Sequence, residues 1–227
     1  YLSGANIYAI TEDPKGNLYI GGDNGLNYLD RENYTFTYYR HDPQVEHSLS
    51  YDDVKALEWD KNGNLWVGTN RGGLNYFNTK TKKFSVYRHD PEDSTSLSGD
   101  KVYNLHMDLN DNLWIITTPD SDLINLCVNL LPAGSEQFVQ LDISPYYGLE
   151  MGRNGNMYIG ARKGFYIYKH RDSVFEFIDG NEYIGKVNVL TVDSRGKLWI
   201  GSDKGLVRYN TDDGSFFWLP DRVDYAF

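Results

Sequence analysis

The sequence is short of several things that common functions require. Cys127 is the one cysteine in 227 residues, so neither an internal disulfide framework nor a multi-cysteine zinc site can form. That leaves the compartment open, because large extracytoplasmic domains with adequate cores do not need disulfides. No window approaches 18 consecutive apolar residues, and no cationic segment followed by an apolar one opens the chain. The segment is therefore expected to be soluble by itself. Basic residues are scarce: 22 Lys and Arg face 32 Asp and Glu, a net charge of −10. Nucleic-acid backbones and anionic membranes call for clustered cations, so neither is expected as a main partner. The five histidines (41, 47, 89, 106 and 170) form no His-Glu-x-x-His pair, and no Gly-x-Ser-x-Gly elbow or phosphate-cradling loop occurs. No metal and no cofactor is expected.

What is abundant points to sheet. Nineteen Tyr, 10 Phe and 5 Trp make 15% of the chain, beside 22 Gly. Large rings and many glycines suit pleated strands joined by tight turns. With hydrophobic residues at 40% and charged ones at 24%, the chain has the composition of a folded domain.

Five segments repeat a Gly-Asn-Leu-Trp core: Asp13–Asp30, Asp60–Asn78, Asp108–Leu126, Gly152–Lys169 and Asp193–Asn210. Their turn residues Gly16, Gly63, Asp111, Gly155 and Gly196 are 47, 48, 44 and 41 residues apart. Each unit holds four short β-type runs; in the second these are Val54–Trp59, Asn64–Gly68, Leu74–Phe77 and Phe84–Arg88. Asn62-Gly63-Asn64 supplies the positive φ of a hairpin between the first two. Four antiparallel strands recurring at this interval describe a blade of a β-propeller. The fold class is thus all-β, with five blades at approximately 6–42, 52–90, 100–142, 145–178 and 186–219. The chain begins within an inter-blade linker and ends after a fourth strand, so it reads as part of a larger propeller, seven-bladed or double, rather than a closed five-bladed ring.

Tyr19, Trp66, Trp114, Tyr158 and Trp199 share one position on the second strand, where a ring can seal a blade to its neighbour. Gly21, Gly68, Gly160 and Gly201 follow two residues on and permit close approach, with Thr117 replacing the glycine in the third unit.

The units resemble the two-component regulator propeller repeat. Unit two carries Gly63-Asn64-Leu65-Trp66-Val67-Gly68-Thr69, Gly72-Gly73-Leu74 and Tyr87-Arg88-His89-Asp90-Pro91, and unit one carries Tyr39-Arg40-His41-Asp42-Pro43 and Ser48-Leu49-Ser50. Unit three departs most, with Thr117–Asp122 in place of the glycine step. The resemblance implies the periplasmic sensor region of a hybrid two-component histidine kinase, in the ectodomain of an inner-membrane protein. It further implies a membrane-anchored homodimer, detection of oligosaccharides from polysaccharide breakdown or another small extracellular ligand, and a kinase elsewhere in the parent.

If strands alternate direction, the loops between strands two and three share a face with the inter-blade linkers. Ligand recognition falls on loops over a rigid scaffold, and these vary in charge from unit to unit. Asn70, Arg71, Asp120, Asp122, Arg162, Lys163, Asp203 and Lys204 are the candidate ligand residues, the arginines being suited to a carboxylate or sulfate. The charged triplets Arg40-His41-Asp42 and Arg88-His89-Asp90 recur at one place in two units, which favours fixing the linker over catalysis. Asp60–Asn64 lacks the frame of a calcium loop and reads as a hairpin turn. No catalytic residue is expected. A propeller-fold carbohydrate-active enzyme (lyase or hydrolase) is one alternative. The other is a protein-docking scaffold, which exposed aromatics such as Tyr38, Tyr51 or Tyr225 would favour.

Overall fold

The structure is a computed structural model that describes residues 2, 4–119, 126–143, 145–180 and 183–219. Among these there is no helix; the chain forms five four-stranded antiparallel sheets, each with its strands in chain order. Blade 1 consists of β1 (Ile7–Glu12), β2 (Leu18–Gly22), β3 (Gly25–Asp30) and β4 (Thr35–Tyr39). Blade 2 is β5 (Val54–Trp59), β6 (Leu65–Thr69), β7 (Leu74–Asn78) and β8 (Lys83–Tyr87). Blade 3 is β9 (Lys101–Met107), β10 (Leu113–Thr118), β11 (Cys127–Leu131) and β12 (Val139–Leu141). Blade 4 comprises β13 (Leu149–Met151), β14 (Met157–Gly160), β15 (Gly164–Lys169) and β16 (Val174–Asp179). Blade 5 comprises β17 (Val187–Val192), β18 (Leu198–Ser202), β19 (Gly205–Tyr209) and β20 (Phe216–Trp218). Blades 1 to 3 form one compact unit, residues 1–143, and blades 4 and 5 a second, residues 144–227.

In blades 1, 2, 3 and 5 the first hairpin is closed by its own aspartate; blade 4 has Gly152 at that position. Asp60 Oδ1 accepts the backbone N–H groups of Asn62 (2.8 Å) and Asn64 (2.7 Å), and Gly63 takes φ 77°. Asp13, Asp108 and Asp193 do the same in blades 1, 3 and 5. Asp111 occupies the left-handed position in blade 3, which aspartate tolerates better than most residues. The segment that loosely resembles a calcium loop is therefore a hairpin turn.

The cores lie between blades. In the first unit, Tyr19 and Leu26 of blade 1 are buried with Val54, Leu65 and Phe77 of blade 2, and Tyr19 meets Trp59 edge-on at 5.4 Å. Trp66 is buried with Val102, Leu105, Leu113 and Leu131 of blade 3. In the second unit, Tyr158 packs with Leu198, Val207 and Tyr209 of blade 5. Each such ring removes on the order of 150–250 Å² from water. Trp114 is fully buried and its indole N–H donates to Asp108 (2.9 Å); Trp199 is half-buried and donates to Asp193 (2.9 Å).

Linkers are fixed by a buried asparagine on the third strand. Asn75 Oδ1 accepts Ser50 N–H (2.9 Å) while its amide donates to Ser50 Oγ (2.7 Å). Asn129 repeats both bonds with Ser98 (2.9 and 2.8 Å). The histidines complete this lock: His41 N–H donates to Asp52 (2.7 Å), and His41 Nδ1 lies 2.8 Å from the Leu49 carbonyl, a contact that requires the proton on Nδ1. His89 makes the equivalent bonds to Asp100 (2.8 Å) and Leu97 (2.6 Å). The two charged triplets thus serve the linker, as their repetition implied.

Candidate functional site

Loops between second and third strands lie beside the segment that leads into the next first strand, joined by bonds such as Gly25 N–H to the Asp52 carbonyl (2.6 Å) and Gly73 N–H to the Asp100 carbonyl (2.9 Å). Val187 N–H likewise donates to the Ala161 carbonyl (3.0 Å). A mouth therefore forms repeatedly from two loop residues of one blade and two or three linker residues before the next.

The candidates at these mouths divide by role. Asn70 braces the linker through Asp53, and Asp203 Oδ1 accepts the Lys186 N–H at 2.8 Å, a fastening that Asp23 makes with Ala5 and Asn6 in blade 1. Gly185 permits this approach, since a Cβ there would meet Asp203 Oδ1 at 1.7 Å. The cations project instead. Arg71, Arg162, Lys163 and Lys204 are exposed. Asp120 and Asp122 lie outside the described residues, as does Tyr225.

Four of the candidates come together. Arg162, Lys163, Asp203 and Lys204 line one depression of about 460 Å³ between blades 4 and 5, with Ile184, Gly185 and Lys186. The Arg162 guanidinium carbon stands 5.9 Å from the centre of the Tyr146 ring. Arg71 belongs to the mouth between blades 2 and 3, in the other unit.

Sequence reasoning missed the residues at a kink repeated in the first strands. Registers slip between Ile7 and Ala9, Val54 and Ala56, and Val187 and Val189, and opposite Tyr103 in β9. Each slip leaves one residue outside the pairing: Tyr8, Lys55, Tyr103 and Asn188. Such bulges re-aim a side chain, and they cluster near functional sites. Lys55 Nζ lies 2.8 Å from Asp53 and 3.3 Å over the Tyr8 ring. Burial works against its charge, but Asp53 and Tyr8 outweigh burial and hold the ammonium above the ordinary lysine range. The sequence signal was an extra residue in a repeat otherwise of fixed register, and it is invisible until strands are paired.

A second depression, about 320 Å³, lies between blades 2 and 3 and is walled by Trp66, Tyr76, Tyr87, Met107 and Leu131, with Asp60, Lys61 and Glu136 at its rim. Its polar wall is satisfied internally: Tyr76 hydroxyl donates to Asp60 (2.6 Å) and accepts from Asn64 (2.8 Å). Among the described residues no group of three or more His, Cys, Asp or Glu is placed to hold a metal ion.

These features define a β-propeller whose loops present differing charges on a constant frame. Residues 1–24 and 48–71 match the family model of the two component regulator propeller, so the chain carries repeats of that type. It is similar to the extracellular domain of a hybrid two component system of B. thetaiotaomicron, at 25% identity and a TM-score of 0.79, over 95% of this chain and 30% of that one. PorZ of Porphyromonas gingivalis, a surface component of the type-IX secretion system, is similar at 15% identity and a TM-score of 0.67, over 96% of this chain and 35% of that one. Virginiamycin B lyase of Staphylococcus aureus shares the fold at 14% identity and a TM-score of 0.69, over 93% and 69% of the two chains. The chain thus spans about a third of the length of the first two. No curated protein sequence matches it significantly. No helix among the described residues is long and apolar enough to cross a membrane.

Proposed function

We propose that this chain is the ligand-sensing part of the extracytoplasmic region of a hybrid two-component sensor, periplasmic in location, which detects oligosaccharides and performs no chemistry on them. The observation that carries this reading is the resemblance to an extracellular two-component domain, joined to recurrent mouths that differ in charge while their hydrogen-bonded frame stays the same. A rigid scaffold with variable loops suits recognition. A ligand would signal through a homodimeric, membrane-anchored parent with a histidine kinase by binding one arrangement of the ectodomain better than another, because only differential affinity shifts an equilibrium.

A docking scaffold is the second reading, and exposed aromatics favour it: Tyr38 is 42% and Tyr51 37% exposed, with Phe36 stacked beside Tyr38 at 6.2 Å. Titration calorimetry with a panel of glycan fragments, followed by product analysis, separates the readings. Heat with intact sugar supports sensing. Cleaved sugar sinks the non-enzymatic reading in favour of a propeller lyase or hydrolase, and silence across the panel sinks sensing in favour of docking.

A further inference from the structure

One depression recurs at two blade junctions, on the hairpin side of the sheets and away from the linkers. Between blades 1 and 2 it measures about 300 Å³, with Asp13, Tyr19, Tyr28 and Trp59 in its wall. Between blades 2 and 3 it measures about 320 Å³, and Asp60, Trp66, Tyr76 and Met107 hold the equivalent positions. The frames match but the charges invert. Lys15, Lys80 and Lys82 line the first beside Asp13; Lys61 lines the second beside Asp60, Asp111 and Glu136. Lys82 and Glu136 stand at one place in the repeat, each two residues before a phenylalanine whose N–H bonds the preceding linker. Phe84 donates to the His47 carbonyl (2.9 Å) and Phe138 to that of Thr95 (2.7 Å).

In the first depression the chain supplies its own cation. Lys82 Nζ lies 5.7 Å from the centre of the Tyr28 ring and 5.8 Å from that of Phe77, within reach of cation–π attraction. Burial lowers its pKa, and the nearby Asp13 carboxylate offsets part of that effect. In the second, a carboxylate replaces the cation while the rings remain: Trp66 stands 4.6 Å from Tyr76 and 5.8 Å from Tyr87. Glu136 is exposed beside them, and after burial its charge is the influence that raises the Tyr87 phenol. Lys61 is engaged by Asp111 at 2.5 Å. Among the described residues no lysine or arginine lies over these three rings. Asp60, like Asp13, belongs to the hairpin frame, so the exchange of Lys82 for Glu136 is what distinguishes the two depressions. Ring faces with a negative rim suit a cation that arrives from outside. We infer that the depression between blades 2 and 3 binds a primary ammonium on an unbranched alkyl stem, the lysine side chain of a peptide, which brings in trans what Lys82 provides in cis. Met107 and Leu131 offer the stem an apolar wall, and Glu136 faces the ammonium. The site lies at the opposite strand ends from the charged mouths and does not depend on the sensing reading.

The test is calorimetry on the full chain with Nα-acetyl-lysine amide, the same compound acetylated at Nε, and a glucosamine disaccharide with free amines. Acetylation at Nε removes the charge and keeps the stem. The free lysine amide is expected to bind roughly tenfold or more tighter than its acetylated form. Glu136→Gln should weaken that binding roughly threefold or more. Glu136→Lys, which restores the charge found between blades 1 and 2, should remove it. Glu92→Gln, at an exposed acid of the preceding linker, should leave it unchanged. Glu136 is exposed as well, so the folded state is retained, and thermal unfolding checks this. Equal affinity for the two lysine compounds overturns the inference, as does undiminished binding to Glu136→Lys or an equal loss in Glu92→Gln. A glucosamine disaccharide that binds more tightly than the lysine amide overturns it in favour of an amino sugar. Silence from all three probes overturns it outright. Sensing is decided separately by the glycan panel, so the two readings fail independently.

Discussion

Gly68 in blade 2 lies directly against Val102 in blade 3: a Cβ built on the glycine would stand 2.6 Å from Val102 Cγ1 and 3.1 Å from its Cβ. Gly21 has the same relation to Val54 (2.5 Å) and Gly160 to Val187 (2.7 Å). The glycine of the repeat is therefore required by the neighbouring blade and not by its own turn. In blade 3 the strand register puts Ile116, fully buried and paired with Val128, at this position, where the repeat led us to expect Thr117; Thr117 lies one residue further on, buried and bonded to Ser98 Oγ at 2.8 Å.

Gly68→Ala is expected to destabilise the fold by about 1–3 kcal/mol through overpacking. Adding Val102→Ala should recover part of that loss, so the double variant is more stable than the sum of the single ones predicts. Denaturant midpoints measure both. Strict additivity would place the cost elsewhere than this contact.

Asn75 is fully buried and fixes Ser50 by two bonds. Asn75→Ala leaves a buried N–H and hydroxyl without their partner and should cost about 2–3 kcal/mol. Asn129→Ala should cost a similar amount in the next blade. An unchanged melting temperature in both would show that the linkers are held by something else.

Asp60 and Tyr76 form a pair with opposed titrations. Burial resists ionisation of Asp60, but the Tyr76 hydroxyl and the N–H groups of Asn64 and Asn62 outweigh it and hold the carboxyl below its usual range. Burial, and next the bond to Asp60, push Tyr76 up to about 12. A depressed carboxylate contributes stability above its unfolded pKa and loses it as pH falls through the folded one. A raised phenol contributes below 10 and loses its contribution as pH rises through about 12. Tyr76→Phe should therefore cost about 1–2 kcal/mol at neutral pH, and the deficit should shrink at both extremes. Urea unfolding at several pH values tests this; a deficit independent of pH would count against it.

Glu150 behaves in the opposite sense. Burial raises its carboxyl, and the Val192 N–H that it accepts at 3.1 Å offsets this in part. A raised carboxyl contributes stability at low pH that is lost as pH climbs through the folded value. Glu150→Gln keeps an acceptor for Val192 and should raise stability at pH 7 by up to about 1 kcal/mol. A destabilised variant would mean that the charge itself is needed across the blade junction.

The sequence by itself determined the repeat, the four strands of each blade and the hairpin aspartates, because each is local. A turn needs its glycine and carboxylate within five residues, and a strand declares itself by length and alternation. It also exposed the varying loop charges, since a constant frame makes any departure visible. Pairing and packing decided the rest. The slip that ejects Tyr8 and Lys55 depends on which residue faces which, and Gly68 gains its meaning only from Val102, 34 residues later. Arg162, Lys163, Lys186 and Lys204 are ordinary surface charges along the chain, and they line one depression only because adjacent blades bring two loops and a linker together.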